Sequence, residues 1–80
     1  MTRDKIHAVV LETFSTVLKK PFTPGAEVVR ENEAAWDSLK HMEIIFALEE
    51  KFGVRFTEEE MVELKSASGI VEKIEFHHAA

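Results

Sequence analysis

The sequence predicts an all-α domain: a small four-helix bundle of three longer helices and one short one, with a long loop between the first and second. Three observations predict it. Apolar residues recur at three- and four-residue spacings along much of the chain. Helix-capping residues stand where those stretches begin. Nothing alternates apolar and polar as a half-buried strand would. Eighty residues make one domain, expected to span 1–80. A chain this short buries only about 60% of its unfolded surface, so its core is marginal.

The first helix is expected over residues 4–19. Ile6, Val9, Val10, Thr13, Phe14 and Val17 form its inward stripe. Asp4 suits its positive end, Lys19 and Lys20 its negative end, and Pro21 stops it. Residues 20–36 hold no period, and Pro21, Pro24 and Gly25 break any regular element. A connection this long in a small domain is usually functional or disordered. Phe22, Val28, Val29 and Trp36 point to an ordered loop pinned by apolar anchors, with Trp36 as the main one.

The second helix is expected over 38–52, capped by Asp37 or Ser38 and ended by Gly53. Val54, Arg55 and Phe56 form a short extended connector. Thr57 followed by Glu60 is a capping-box pattern. It opens a third helix near 58–64 that offers Met61, Val62 and Leu64 to the core. Ser66 caps a last helix running to about 76, with Ala67, Ile70, Val71 and Ile74 inward.

Composition narrows the function. The chain has no cysteine, which excludes disulfides, thiolate zinc sites and cysteine nucleophiles. Its longest apolar run is far too short to span a bilayer, and its N-terminus lacks a signal-peptide pattern. A cytoplasmic protein is the expectation. The formal net charge is −5, and it is concentrated: residues 27–60 hold ten acids and four bases. An acidic middle speaks against nucleic acid and for basic protein partners. No membrane association and a monomeric chain are expected.

The second helix poses the functional question. At about 100° per residue, Ile44, Ile45, Leu48 and Phe52 fall within one core-facing arc. Leu39, Met42 and Phe46 lie about 100° or more from its centre, where a one-sided core does not reach them. Glu43, Glu49 and Glu50 rim that face. An apolar patch inside a charged rim is the anatomy of a transient protein interface, although a neighbouring loop or helix covering Met42 and Phe46 would explain it too. Ser38 is open to two readings as well. It can be a cap, or its hydroxyl can be free because Asp37 does the capping.

Asp37-Ser38-Leu39, followed at helix length by Leu48-Glu49-Glu50-Lys51-Phe52-Gly53, resembles the acyl carrier protein family. The likeness extends over nearly the whole chain, from the long first helix through the Pro-containing loop to the short acidic third helix. The resemblance implies a carrier, not an enzyme. It implies 4′-phosphopantetheine attached covalently to Ser38, with acyl or aminoacyl cargo held as a thioester on the arm's terminal thiol. It implies a supporting role for Asp37, which can hold metal at the transferring enzyme. It also implies partner docking along Leu39, Met42, Glu43, Phe46, Glu49 and Glu50. The partners would be a phosphopantetheinyl transferase, loading enzymes and downstream biosynthetic enzymes with basic surfaces. Trp36, Lys40 and His41 depart from the pattern of the fatty-acid carriers. The departures direct the expectation towards a specialised pathway: polyketide, nonribosomal peptide or fatty-acid-like.

Other readings are weaker on the residues themselves. A triad of Asp37, Ser38 and His41 lacks a Gly-rich elbow and an oxyanion donor pair, and His41 falls near the core stripe. A metal site at His77 and His78 with Glu72 or Glu75 would use adjacent helical residues that point about 100° apart. The competing class is a non-catalytic helical interaction module with no prosthetic group.

Overall fold

The computed structural model describes residues 2–79. Four α-helices follow in order: α1 (Arg3–Leu18), α2 (Ser38–Phe52), α3 (Glu58–Glu63) and α4 (Ala67–Ala79), with a 3₁₀ turn at Arg30–Asn32 in the long connection. This is the small all-α bundle expected. No helix among the described residues is long and apolar enough to cross a membrane.

Each helix starts where a side chain can take up free backbone N–H groups. Thr2 caps α1, one residue earlier than expected, and its hydroxyl accepts from the Lys5 N–H. Lys19 then closes α1 in the left-handed conformation, at φ 58°. Asp37 caps α2, and Gly53 ends it at φ 64°, where glycine carries no Cβ penalty. The capping box at Thr57 and Glu60 forms with both of its bonds. Ser66 Oγ accepts from the Gly69 N–H at the start of α4.

α1 packs against both α2 and α4. Between them lie Phe14, Val10, Ile44, Ile45, Leu48, Ile70 and Ile74, all fully buried. The inward stripe of α1 is wider than one helix contact explains. Leu11 and Leu18 are buried, while Val9 and Val17 are only partly covered. Leu11 shares a shallow cleft with Phe22 and Pro24 of the connection, so the loop supplies a third packing partner.

Residues 20–36 are tied down by apolar and polar contacts together. Trp36 and Val28 are buried, and Phe22 packs edge-on against Phe14. Val29 and Ser66 form an antiparallel bridge: Arg30 N–H donates to Lys65 O at 2.8 Å, and Ala67 N–H to Val28 O at 2.8 Å. The Glu27 carboxylate accepts from the Val28 N–H, the Ser68 N–H and the Ser68 hydroxyl. Burial alone would push Glu27 up. The bonds from Ser68 and Val28 and the charge of His7 outweigh it and hold the carboxyl below its ordinary value. The connection is thereby fastened to the α3–α4 junction.

One core assignment is corrected. Val62 is 71% exposed rather than inward, while Leu64 is buried and Met61 half-buried. α3 has only six residues, under two turns, and is positioned by its ends rather than by an apolar stripe. Glu60 does much of that work. It accepts from the Thr57 N–H, from His77 Nε2 at 3.1 Å and pairs with Lys73 at 3.6 Å. The Thr57 bond is the main cause holding Glu60 below the ordinary carboxylate value. Burial opposes it, and His77 and Lys73 add to it.

Candidate functional site

The N-terminus of α2 is built from residues 36–41. Asp37 stands in extended backbone and its Oδ1 accepts from the Lys40 N–H at 2.9 Å. The cap is therefore Asp37, and Ser38 is the first helical residue. Its hydroxyl is exposed and not committed to capping. Among the described residues its one side-chain hydrogen bond is a long one, 3.4 Å, donated by an Arg30 terminal nitrogen. Open donors at a helix start and the helix dipole favour an anion there.

Trp36 and His41 support this start from below. Trp36 is 2% exposed and His41 6%. The indole N–H donates to His41 Nδ1 at 3.0 Å, and His41 Nε2–H donates to Met61 O at 2.7 Å. One imidazole thus joins the end of the loop, the first turn of α2 and the middle of α3, and its bonds fix a single tautomer. Trp36 also meets Phe14 edge-on, with ring centroids 4.9 Å apart. This disposes of the triad: both His41 nitrogens are engaged in the core, and neither faces Ser38. His77 likewise serves Glu60. Among the described residues no three acidic or histidine side chains gather where they could hold a metal.

The exposed face of α2 agrees in part with expectation. Leu39 is 68% exposed and Phe46 55%, both large for an apolar side chain with no partner in the fold. Glu43 and Glu50 are exposed, and Glu43 pairs with Lys40 at 3.4 Å. Two residues behave differently. Met42 is half-buried, because at about 110° from the core centre it sits on the boundary rather than the far side. Glu49 is half-buried too, and its carboxylate accepts from the Phe56 N–H at 2.8 Å. It holds the connector after α2 rather than standing free as rim charge. Phe46, Glu49 and Glu50 do meet, around an open cleft shared with Gly53, Val54 and Arg55. Ser38 lies about 12 Å and Leu39 about 10 Å from Phe46 along the helix, at 1.5 Å per residue.

Arg30 escaped the sequence reading. Its Nε donates to Trp36 O at 3.2 Å, which turns the guanidinium towards Ser38. A signal was present: Arg30 is the only basic residue between Lys20 and Lys40, and it lies in an acidic loop. An open groove of about 620 Å³ adjoins this corner, lined in part by Arg30, Trp36, Asp37 and Lys65.

A four-helix domain with an uncommitted serine hydroxyl at a helix start, a cation beside it and exposed apolar residues along that helix is the class of a small helical carrier. The comparisons specify which. The family model described as "Phosphopantetheine attachment site" matches residues 8–74. The acyl carrier proteins of Helicobacter pylori strains G27 and HPAG1 are each 39% identical over 72 residues, covering 90% of this chain and 88% of theirs. No solved structure matches the chain significantly. The chain belongs to the acyl carrier protein family. It is a carrier rather than a catalyst, and its prosthetic group is phosphopantetheine.

The residues at the α2 start fit that group. The hydroxyl is accessible, a guanidinium stands next to it, and the open groove leaves room for a chain to depart.

Proposed function

We propose that Ser38 is the attachment point of 4′-phosphopantetheine, and that residues 1–80 act as a single carrier domain for acyl or aminoacyl intermediates in a specialised biosynthetic pathway. One observation carries the assignment: Asp37 takes the cap, so the Ser38 hydroxyl is exposed and free to form a phosphodiester. When bound, the arm supplies the thiol for thioester formation that this cysteine-free chain lacks. Asp37 keeps Oδ1 on the Lys40 N–H, which leaves Oδ2 for a metal ion held by the transferase. Trp36 and His41 hold the helix start at a fixed height over the core.

Partner enzymes read α2 from Ser38 outward. Leu39 and Phe46 are the apolar contacts, with Met42 at their edge. Glu43 and Glu50 steer basic surfaces towards them, and Glu49 contributes through the oxygen not needed by Phe56. Trp36, Lys40 and His41, which set the chain apart from the fatty-acid pattern, support a specialised role.

The test is intact mass after incubation with coenzyme A and a broad-specificity phosphopantetheinyl transferase. The wild type is expected to gain one phosphopantetheinyl group. Ser38→Ala is expected to gain none while keeping its helical circular-dichroism spectrum. Addition that persists in Ser38→Ala sinks the assignment, and no addition to the folded wild type favours a bare interaction module.

A further inference from the structure

We propose that Arg30 is the side chain that pairs with the phosphodiester on Ser38, and that this pairing sets the direction in which the arm leaves the protein. The inference rests on Ser38 as the attachment point.

Three features of Arg30 go beyond those of a loop residue. First, its position is determined at both ends. The backbone N–H is held by Lys65 O at 2.8 Å, and Nε by Trp36 O at 3.2 Å. Trp36 is itself locked into the core by Phe14 and His41. The guanidinium of this half-buried residue is therefore preorganised on a rigid support, where most surface arginines would lose freedom on binding. Second, a terminal nitrogen already lies 3.4 Å from Ser38 Oγ, the atom that would carry the phosphorus. The non-bridging phosphate oxygens would lie two bonds beyond Oγ, through the phosphorus, on the side the same nitrogens approach. A planar guanidinium matches two such oxygens with two parallel N–H bonds, which a lysine cannot do.

Third, among the described residues no carboxylate pairs with Arg30. Glu31, Glu33, Asp37 and Lys65 line the adjoining groove. Glu33 is taken by Lys20 at 3.0 Å, and Asp37 Oδ1 by the Lys40 N–H. Glu31 is exposed, and Lys65 adds a second positive charge to the same groove. With the phosphate held against Arg30, the rest of the arm is directed along the groove edge rather than back across α2. The docking face at Leu39 and Phe46 then stays open to partners.

The experiment uses the full chain in loaded form, with wild type, Arg30→Gln and Arg30→Lys. Intact mass first establishes loading. The ³¹P spectrum then reports the phosphate, and the Arg30 Nε–H resonance reports the guanidinium. Loading the wild type is expected to move the Nε–H resonance. In Arg30→Gln the ³¹P signal is expected to sharpen and move towards that of free phosphopantetheine, with the equilibrium that holds the phosphate against the protein weakened about two- to fivefold, as for the loss of one surface ion pair. Arg30→Lys should fall between, since it keeps the charge and loses the fork. Identical ³¹P shift and linewidth in fully loaded wild type and Arg30→Gln overturn the proposal, as does an unmoved Nε–H. Failure of wild-type loading, or loading away from Ser38, would instead overturn the attachment reading. If Arg30→Gln loses its fold, the wild type decides alone. Raising salt to about 1 M shortens the screening length to about 3 Å and should release the phosphate, whereas a ³¹P signal indifferent to salt contradicts the pairing.

Discussion

Replacing Trp36 by Phe tests whether the helix start is held from within. The ring is 2% exposed, and among the described residues its N–H is the only donor to His41 Nδ1, itself in a residue 6% exposed. Phe keeps the edge-on contact with Phe14 but cannot donate. A buried acceptor left unpaired costs about 1–3 kcal/mol. The lost second ring removes further apolar burial, about 1–2 kcal/mol including the space left behind. Together the expected loss is about 2–5 kcal/mol. In a domain of this size each kcal/mol moves Tm by about 4–8 °C, so Tm should fall by roughly 10 °C or more. Urea unfolding followed by circular dichroism is the assay, since the variant has lost the sole tryptophan. His41→Leu and the double variant complete a cycle, and a coupling of about 1 kcal/mol is expected for two groups in one bond. A Trp36→Phe loss under about 0.5 kcal/mol, or coupling within the ~0.3 kcal/mol of independent sites, would refute the reasoning.

Leu39→Ala and Phe46→Ala should each change stability by less than about 1 kcal/mol, because over half of each side chain is already in water and alanine is the better helix former. Thermal unfolding measures this. The same variants should slow phosphopantetheinyl transfer, and wild-type transfer should slow as salt rises; normal rates would remove these residues from the docking face. Acid should loosen the α3–α4 region first. Glu27 and Glu60 both have folded values below their ordinary ones, so their stabilisation is present above the unfolded carboxylate pKa of about 4.3 and is lost as pH falls through the folded values. Glu27→Gln and Glu60→Gln should flatten the acid limb of a pH–stability profile.

Much of this fold was legible because local rules decided it. The bounds of α2 follow within one residue from the capping pair Asp37-Ser38 at one end and Gly53 at the other. The capping box before α3 is a local pattern and formed as read. What local rules could not show came from contacts distant in sequence. Val62 points outward because six residues are too few for a stripe to define a face. Leu11, 5% exposed, borders a cleft it shares with Phe22 and Pro24 of a loop whose course no period announces. Glu49 looked like rim charge, yet the chain returns beneath it and presents the Phe56 N–H. At the site, Ser38 and Asp37 were legible as alternative caps, and only the geometry assigns the cap to Asp37. His41 was read as near the core, but its bonds to Trp36 and to the Met61 carbonyl, twenty residues away, were not. Arg30 stands out in the sequence as a lone base in an acidic loop, and the fold brings it, at the start of the 3₁₀ turn, against Ser38.

The central claim is that Ser38 carries the arm, and the sequence makes a direct measurement possible. Trypsin cuts after Arg30 and Lys40, releasing Glu31–Lys40, in which Ser38 is the only hydroxyl side chain. Tandem mass spectrometry of the loaded protein should find the phosphopantetheinyl mass on this peptide, on fragments that contain Ser38, and on no other peptide. Finding the mass elsewhere in the chain, or this peptide unmodified in protein whose intact mass shows full loading, would contradict the account.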